Sequence, residues 1–278
     1  MKQNGRWWRS LVLTGASGGI GRALASELAS NRVTMLLIGR DLHRLEATAK
    51  AARSKGASVQ VAACDVTDTA AMARLLDEAD KRAPVDLVIA AAGQSAGTAT
   101  DGDRPEAPGT LHRIIDVNVF GAANAVEPLL APMRARGGGR IVLIGSLAAH
   151  RPLPDMPAYS ASKAALRAWG TALRGALAQH GVGVTIVSPG FVTSPMSARH
   201  LGARPFEVSA EDAARRIVRG VVRGDALVTF PAGLAALAWL GSRLPPRLSD
   251  FCARPFATRI ASEGDAVAVV AEANAATD

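Results

Sequence analysis

The chain has 278 residues, of which 49% are hydrophobic and 20% are charged, a composition typical of an ordered globular protein. Its net charge of +8 and pI of about 10.4 would suit a polyanionic partner, but the arginines are scattered and form no basic run, so we expect no nucleic-acid partner. No run approaches the ~20 apolar residues of a membrane-spanning helix and no signal peptide is visible, so we expect a cytoplasmic protein. Cys64 and Cys252 lack metal-ligand spacing, so we expect buried, inert thiols and no metal.

Seven short apolar segments of strand length alternate with amphipathic segments of helical period. This alternation predicts an α/β fold in a single domain, a Rossmann-type doubly wound parallel sheet with ligands at the carboxyl ends of its strands. The predicted strands are residues 10–14, 33–38, 58–63, 86–91, 140–146, 183–188 and 226–230. The predicted helices are residues 19–30, 41–54, 68–82, 109–127, 158–180 and 209–223, and Pro128 and Pro132 are expected to end or kink the fourth.

A glycine-rich segment, TGASGGIG, follows the first predicted strand and places Gly15, Gly19 and Gly21 before the first helix. Glycines allow positive φ and close approach of the backbone to a pyrophosphate, and free amides at a helix start favour its charge. A tight strand-to-helix connection would also use glycines. Its place after the first strand predicts a dinucleotide site.

Residues after the second and third strands predict how the nucleotide is recognised. Gly39 stands where a carboxylate would bind the ribose of NAD, and the guanidinium of Arg40 can pair with a 2′-phosphate, so NADP(H) is expected. Asp41 leaves NAD(H) open because it could accept ribose hydroxyls, although its position also suits a helix N-cap. Asp65 is placed to accept from the adenine amino group or to cap its own turn, and Asp68 is the better candidate for capping the next helix.

The only tyrosine of the chain, Tyr159, precedes Lys163 by four residues in the segment PAYSASKAAL. On a helix this spacing puts both side chains on one face. Reduction of a carbonyl needs a proton donor at the developing alkoxide, and the Lys163 ammonium would lower the tyrosine pKa from about 10 toward neutrality. Ser146, at the end of a predicted strand, would hydrogen-bond the substrate oxygen. Each residue alone would be a solvated or turn residue, but together they predict an active site.

The chain carries these residues and segments in the order TGASGGIG, Asp65, AAAG, Asn118, Ser146, YSASK and SPG. In this order they resemble the short-chain dehydrogenase/reductase family, from about residue 11 to residue 230. The resemblance implies a homodimer or homotetramer that transfers hydride between a nicotinamide cofactor and a carbonyl or alcohol.

The resemblance also implies residue roles. Tyr159 would be the catalytic acid/base, Lys163 its activator, Ser146 the hydroxyl that orients the carbonyl, and Asn118 the residue that holds a relay water. Thr193 would grip the carboxamide of the cofactor. The cofactor contacts implied are Gly15, Ser17, Gly19, Ile20, Gly21, Arg40, Asp65, Val66, Ala92, Gly93, Asn118, Tyr159, Lys163, Pro189, Gly190, Val192 and Thr193.

Two departures from the family pattern affect these expectations. Many members have asparagine shortly before the alanine-glycine that follows the fourth strand, whereas this chain has Ala90, Ala91 and Ala92 before Gly93, which puts the rigidity of that loop in doubt. Some NADP-dependent members carry Arg or Lys where this chain has Gly18. The predicted cofactor preference therefore depends on Arg40.

The remaining segments bear on substrate and partners. Residues 94–108 and 191–207 are predicted to be long polar loops that are placed to close over a crevice. The apolar residues of the second loop would suit a lid over a hydrophobic, medium-sized carbonyl compound, and an ordinary irregular loop is the equally weighted alternative. Domain boundaries are expected at 1–230 for the catalytic domain, 231–262 for an apolar extension and 263–278 for a flexible tail. The extension is expected to pack on the pocket or a partner subunit, with peripheral membrane contact as the less favoured alternative, and the RWWR segment at 6–9 suggests two exposed tryptophans.

These observations predict an NADP(H)-dependent oxidoreductase that interconverts a ketone or aldehyde and an alcohol. Two alternatives stay open: a cofactor-sensing or scaffold protein with little catalysis, and a non-redox epimerase or lyase on the same scaffold. His150 and His180 have no spaced partner, and no role is predicted for them.

Overall fold

The computed structural model describes residues 2, 3, 6–97 and 106–253, and it is built around one parallel sheet covered by helices on both faces. The seven strands of this sheet are β3 (Ser10–Thr14), β4 (Thr34–Gly39), β5 (Ser58–Ala63), β6 (Leu87–Ala90), β7 (Gly139–Ile144), β8 (Val182–Pro189) and β9 (Leu227–Phe230). Two short strands, β1 (Lys2–Gln3) and β2 (Arg6–Trp7), form a separate antiparallel pair.

The helices follow the strands in alternation. They are α1 (Gly19–Leu28), α2 (Leu42–Arg53), α3 (Thr69–Arg82), α4 (Thr110–Ile115), α5 (Gly121–Ala135), α6 (Pro157–Leu177), α7 (Pro195–Ala198), α8 (Ala210–Arg223), α9 (Ala232–Gly241) and α10 (Pro246–Ala253). A π-helical turn, Asp116–Phe120, joins α4 to α5, and short 3₁₀ turns occupy Leu147–Ala149 and Ala178–His180. The predicted parallel sheet is therefore confirmed, with boundaries within a few residues of those expected.

Alternating side chains of the strands build two hydrophobic cores. Leu11 and Leu13 of β3 join the cluster that contains α1, α2 and α8, whereas Val12 joins the cluster that contains α3, α5 and α6. Because successive strand residues point to opposite faces, one apolar strand supplies both layers.

The order of the strands positions a crevice. The sheet runs β5-β4-β3-β6-β7-β8-β9, so the chain builds outward from β3 to one edge and then restarts on the other side of β3 with β6. All six neighbouring pairs are parallel. The direction of winding thus reverses between β3 and β6, and open sheets of this kind bind ligands outside the carboxyl ends of the strands at that reversal.

Pro128 and Pro132 are expected from the sequence to end or kink the predicted helix 109–127. They do not end it, because α5 continues to Ala135 with both prolines inside it. Each proline removes one backbone hydrogen bond. Burial of the adjacent Val126, Leu129 and Met133 against the sheet outweighs this loss. The helical stretch Thr110–Ala135 passes the length and apolarity test for a membrane span, but this packing is that of a core helix.

Other expectations meet different outcomes. Trp8 is buried in the core at 6% exposure rather than exposed. Cys64 is half-buried, and its thiol pKa is raised chiefly by burial. Helices α9 and α10 lie within the predicted extension, whereas its residues 254–262, the predicted tail 263–278 and the loop positions 98–105 lie outside the described residues.

Two glycines of α6 provide a test of how closely this helix packs on the sheet. A Cβ at Gly170 would lie 2.6 Å from Leu143 Cδ1 and 3.0 Å from Ile186 Cγ1, while a Cβ at Gly175 would meet nothing within 4 Å. We expect Gly170→Val to lower the free energy of unfolding by about 1–3 kcal/mol, because valine overpacks the contact with β7 and β8. Gly175→Val on the same helix is the control and should stay within about 0.5 kcal/mol of the wild type. Urea denaturation measures both, and equal losses in the two variants would contradict the packing described.

Candidate functional site

A cavity of about 520 Å³ opens at the carboxyl ends of the central strands. It brings together most of the site residues predicted from the sequence. The predicted residues in its wall are Gly15, Ser17, Gly19, Ile20, Gly21, Arg40, Asp65, Val66, Ala92, Gly93, Ser146, Tyr159, Lys163, Pro189, Gly190 and Val192. Asn118 and Thr193 are outside this wall.

The glycine-rich turn between β3 and α1 has no room for side chains. Gly15 has φ of +65°, and a Cβ on it would lie 2.7 Å from the backbone carbon of Ala91. A Cβ on Gly19 would lie 2.7 Å from the Cβ of Ser194. Helix α1 begins at Gly19 with no side-chain cap, whereas Asp41 caps α2 and Asp68 caps α3 as the sequence suggested. The amides at the start of α1 therefore face the cavity without a competing side chain, which suits a bound phosphate.

Two arginines border the far end of this turn. Arg40 lines the cavity, as does Arg44, whose Nη2 donates to the backbone oxygen of Ser17 at 2.9 Å. Asp41 accepts from the Arg44 amide at 3.0 Å and is the N-cap of α2. Arg44 was not predicted because its role depends on the first turn of α2 placing it beside Ser17.

The carboxylate of Asp65 accepts hydrogen bonds within its own turn. Its Oδ1 accepts from the backbone amide of Thr67 at 2.9 Å and from the Thr67 hydroxyl at 2.8 Å. The Thr67 amide is the main reason that the carboxyl pKa lies below its usual value, and the positive charge of Arg40 lowers it further. Asp65 therefore caps its own turn and also lines the cavity, and its contact with the adenine amino group stays a prediction.

The predicted catalytic side chains meet at the start of α6. Ser146 follows β7, and its Oγ accepts from the amide of Ala148 at 3.1 Å. Lys163 is 5% exposed, and its Nζ donates to the backbone oxygen of Ile144 at 2.9 Å. The same Nζ lies 5.6 Å from the centroid of the Tyr159 ring. Tyr159 and Lys163 therefore face the cavity together, as their spacing predicts.

The ionisation of this pair differs from the sequence-based expectation. Burial raises the pKa of Tyr159, and the hydrogen bond with Ser146 opposes this rise only in part. Burial also lowers the pKa of Lys163, to about 8. The expectation that the tyrosine pKa falls toward neutrality is not met by the residues of the chain, because the loss of hydration on burial outweighs the hydrogen bond with Ser146.

Asn118 lies in the π-helical turn and acts as a brace rather than as part of the cavity wall. Its Oδ1 accepts from the amide of Gln94 at 2.7 Å, and its Nδ2 donates to the Gln94 oxygen at 3.0 Å and to Ser162 Oγ at 2.9 Å. A Cβ on Gly93 would lie 3.1 Å from Asn118 Oδ1 and 3.5 Å from Lys163 Nζ. Asn118 thus lies close to Lys163, but its side-chain amide is already hydrogen-bonded, and its role in a water relay stays a prediction.

The loop after β6 has a brace that the sequence pattern did not reveal. Thr14 is fully buried, and its Oγ1 accepts from the amides of Ala91 and Ala92 at 3.2 and 3.3 Å. Together with the bonds between Asn118 and Gln94, this hydroxyl fixes the loop although the family's asparagine is replaced by alanine. Thr193 is exposed, and its hydroxyl donates to the oxygen of Val208 at 3.4 Å, so the predicted carboxamide contact also stays a prediction.

The other end of the cavity is largely apolar. Side chains from the 3₁₀ turn, the segment before α6, the loop 191–207 and α9 line it: Leu147, Leu153, Met156, Phe191, Met196, Leu234 and Leu237. His200 lies edge-on to Phe191, with 5.9 Å between ring centroids, and its pKa is lowered to about 4, first by burial and then by Arg204 and Arg199. His200 is therefore neutral near pH 7.

One ion pair joins the walls of this apolar end. Arg151 lines the cavity and its Nη2 donates to Asp250 of α10 at 3.0 Å. The sequence did not indicate this pair because the two residues are 99 positions apart. Among the residues that the structure describes, no group of three or more histidine, cysteine, aspartate or glutamate residues could hold a metal ion.

Comparisons with known proteins agree with this geometry. The profile of the short chain dehydrogenase family matches residues 9–203. An uncharacterized oxidoreductase of Myxococcus xanthus is 39% identical over 248 residues, which cover 89% of this chain and 97% of the relative.

Two solved structures share the fold at a TM-score of 0.73 and 25% identity. One is a short-chain dehydrogenase/reductase from Burkholderia phymatum in complex with NAD, for which the match covers 83% of this chain and 92% of that one. The other is a short-chain dehydrogenase from Sphingobium yanoikuyae in complex with NADPH, for which the match covers 82% and 90%. The sequence match over most of the chain, the sheet order and the cavity residues together show that this protein belongs to the short-chain dehydrogenase family.

Proposed function

We propose that the protein is an NADP(H)-dependent oxidoreductase that interconverts a ketone or aldehyde and an alcohol, with Tyr159 as the general acid/base. The observation that carries this proposal is the presence of Ser146, Tyr159 and Lys163 in one cavity wall with the glycine-rich turn. A proton donor, an oxygen-orienting hydroxyl and a cation thus surround one space, next to a turn that suits a phosphate.

The residues present fit a nicotinamide dinucleotide, which when bound supplies or accepts the hydride. The uncapped start of α1 and the Cβ-free backbone of Gly15 and Gly19 would hold its phosphates. In carbonyl reduction, the Tyr159 hydroxyl donates its proton to the substrate oxygen while the Ser146 hydroxyl orients that oxygen. The Lys163 ammonium stabilises the phenolate that is left. In alcohol oxidation the same proton returns to Tyr159.

The preference for NADP(H) rests on the charges at the nucleotide end. Arg40 and Arg44 both border the cavity, and two guanidinium groups can pair with a 2′-phosphate. Gly39 supplies no carboxylate, and the side chain of Asp41 accepts from the start of α2. These contacts favour a phosphorylated ribose over a free 2′-hydroxyl.

The substrate is proposed to be a medium-sized apolar carbonyl compound. The wall beyond Tyr159 includes Met156, Phe191 and Leu237. An apolar wall excludes water from the proton-transfer site and gives little recognition to a small, highly hydroxylated compound.

Removal of the phenol tests the proton donor. Tyr159→Phe should lower kcat/KM for NADPH-dependent reduction of apolar ketones and aldehydes by about 10²–10⁴, because the alkoxide then lacks its proton source. The measurement is steady-state NADPH oxidation across a carbonyl panel. Thr171→Ala, on an exposed position of the same helix, is the control and should keep the wild-type rate. Binding of NADPH by Tyr159→Phe, measured by calorimetry, should persist; wild-type turnover in this variant would remove Tyr159 from the mechanism.

The pKa of Lys163 predicts a pH dependence. Lysine is charged below its pKa of about 8 and loses its charge above it, while burial keeps Tyr159 protonated to higher pH. We therefore expect kcat/KM for carbonyl reduction to fall as the pH rises above about 8, by up to about tenfold per unit. Lys163→Arg keeps a cation whose pKa is far above that of lysine, so any activity that it retains should decline only at higher pH. A profile with the same midpoint in both proteins would show that another group titrates.

Two substitutions at the nucleotide end test cofactor choice. Arg40→Ala and Arg44→Ala should each raise the KM for NADPH about tenfold or more, because a charge-assisted hydrogen bond to the 2′-phosphate is lost. The KM for NADH, which lacks this phosphate, should change little. Arg174→Ala, an exposed arginine of α6, is the control. Equal effects on both cofactors would contradict the proposed phosphate contact.

A further inference from the structure

Helices α9 and α10 expose an apolar surface that the proposed reaction does not use. Of the twelve large hydrophobic side chains that are exposed in the described part of the chain, five lie on these two short helices. Leu237 also lines the cavity, so the set that we call the C-terminal apolar surface consists of the other four: Trp239, Leu240, Leu248 and Phe251, which are 48–64% exposed. Exposed apolar side chains that gather on one part of a protein surface often mark a site for a protein partner or a membrane.

One side of α9 lines the cavity and the other side is exposed. Leu234, Ala238 and Gly241 recur at spacings of four and three and line the cavity. None of the ten residues of α9 is buried, and Trp239 and Leu240 point away from the cavity wall at 55% and 54% exposure. A helix of ten residues is about 15 Å long, half the thickness of a bilayer core, so it can lie on a membrane but cannot cross one.

The charges beside this surface are positive. Residues 231–253 contain two arginines and one acidic residue, Asp250, which is already paired with Arg151. The guanidinium of Arg243 lies 3.7 Å from the centroid of the exposed Trp239 ring. Exposed tryptophan beside arginine is the combination that favours the boundary between lipid tails and anionic headgroups, because the ring is amphipathic and the arginine reaches outward.

From this arrangement we infer that the C-terminal apolar surface docks the protein on an anionic membrane surface. Leu240, Leu248 and Phe251 insert among the lipid tails, and Arg243 and Arg247 pair with headgroup phosphates. A second copy of the chain fits less well. A two-fold interface would bring two such surfaces together with four arginines, and the one acidic residue of each copy in this segment, Asp250, is already paired with Arg151. Docking does not depend on the redox activity and concerns a surface outside the catalytic residues.

The test uses the full-length protein and vesicles of phosphatidylcholine, with or without phosphatidylglycerol. The wild type should co-sediment with the vesicles that contain phosphatidylglycerol and less with phosphatidylcholine alone, and higher salt should weaken binding. Leu240→Ser should lower the partition coefficient about fivefold to tenfold, because a tail contact is lost. Leu111→Ser, at a similarly exposed leucine of α4, is the matched control and should bind as the wild type does.

Two further variants separate a defined docking surface from diffuse charge attraction. Arg247→Gln should weaken vesicle binding about fivefold, whereas Arg174→Gln, at an exposed position of α6, should not weaken it. The wild type should also show a blue shift of tryptophan fluorescence on anionic vesicles, and this shift should be lost in Trp239→Phe while vesicle binding is kept. Thermal unfolding and NADPH binding check that every variant is folded.

Three outcomes would overturn the proposal. The wild type could fail to bind anionic vesicles, which would contradict docking on a membrane directly. Arg174→Gln and Arg247→Gln could weaken binding equally, which would show only the attraction of the net charge of +8. Sedimentation without lipid could show a dimer that Leu240→Ser dissociates, which would assign the surface to a second copy.

Discussion

The site depends on one buried hydrogen bond, from the ammonium of Lys163 to the backbone oxygen of Ile144. A buried cation is costly unless its donors are satisfied, and here the last carbonyl of β7 satisfies one of them. The bond ties α6 to the end of the strand that leads into Ser146. Tyr159, one turn earlier on α6, is therefore held above the same strand end. The bond thus holds Tyr159 and Lys163 relative to the sheet, while burial lowers the lysine pKa to about 8.

Much of this arrangement follows from local sequence. The sheet is predictable because each strand is a short apolar run between amphipathic helices, and the turn at Gly15 is predictable because glycine allows positive φ between a strand and a helix. The pairing of Tyr159 with Lys163 is predictable because residues four positions apart lie on the same face of a helix. In each case the decisive contacts lie within a few residues, or within a repeat that the sequence shows directly.

The features that the sequence did not predict involve distant residues or competing energies. Thr14 stands in for a missing asparagine only because β3 lies next to the loop after β6. Two prolines inside α5 are tolerated because the helix buries an apolar face, which propensity alone does not weigh. The direction of the tyrosine pKa depends on hydration that is lost only when the cavity forms. The spacing of Tyr159 and Lys163 in the sequence predicts their positions, whereas their pKa values depend on burial in the folded protein.

The strand order also bears on how the protein reaches its native state. The turn that suits the phosphates lies between β3 and α1, yet its neighbour in the sheet, β6, begins at Leu87, and the tyrosine arrives some 70 residues later still. Pairing of parallel neighbours so far apart in sequence closes large loops and is slow. During synthesis β3, β4 and β5 can pair before the rest of the sheet, but the residues of the site cannot converge until β7 and α6 have left the ribosome. Catalytic competence should therefore emerge late and cooperatively, after the nucleotide half has taken shape.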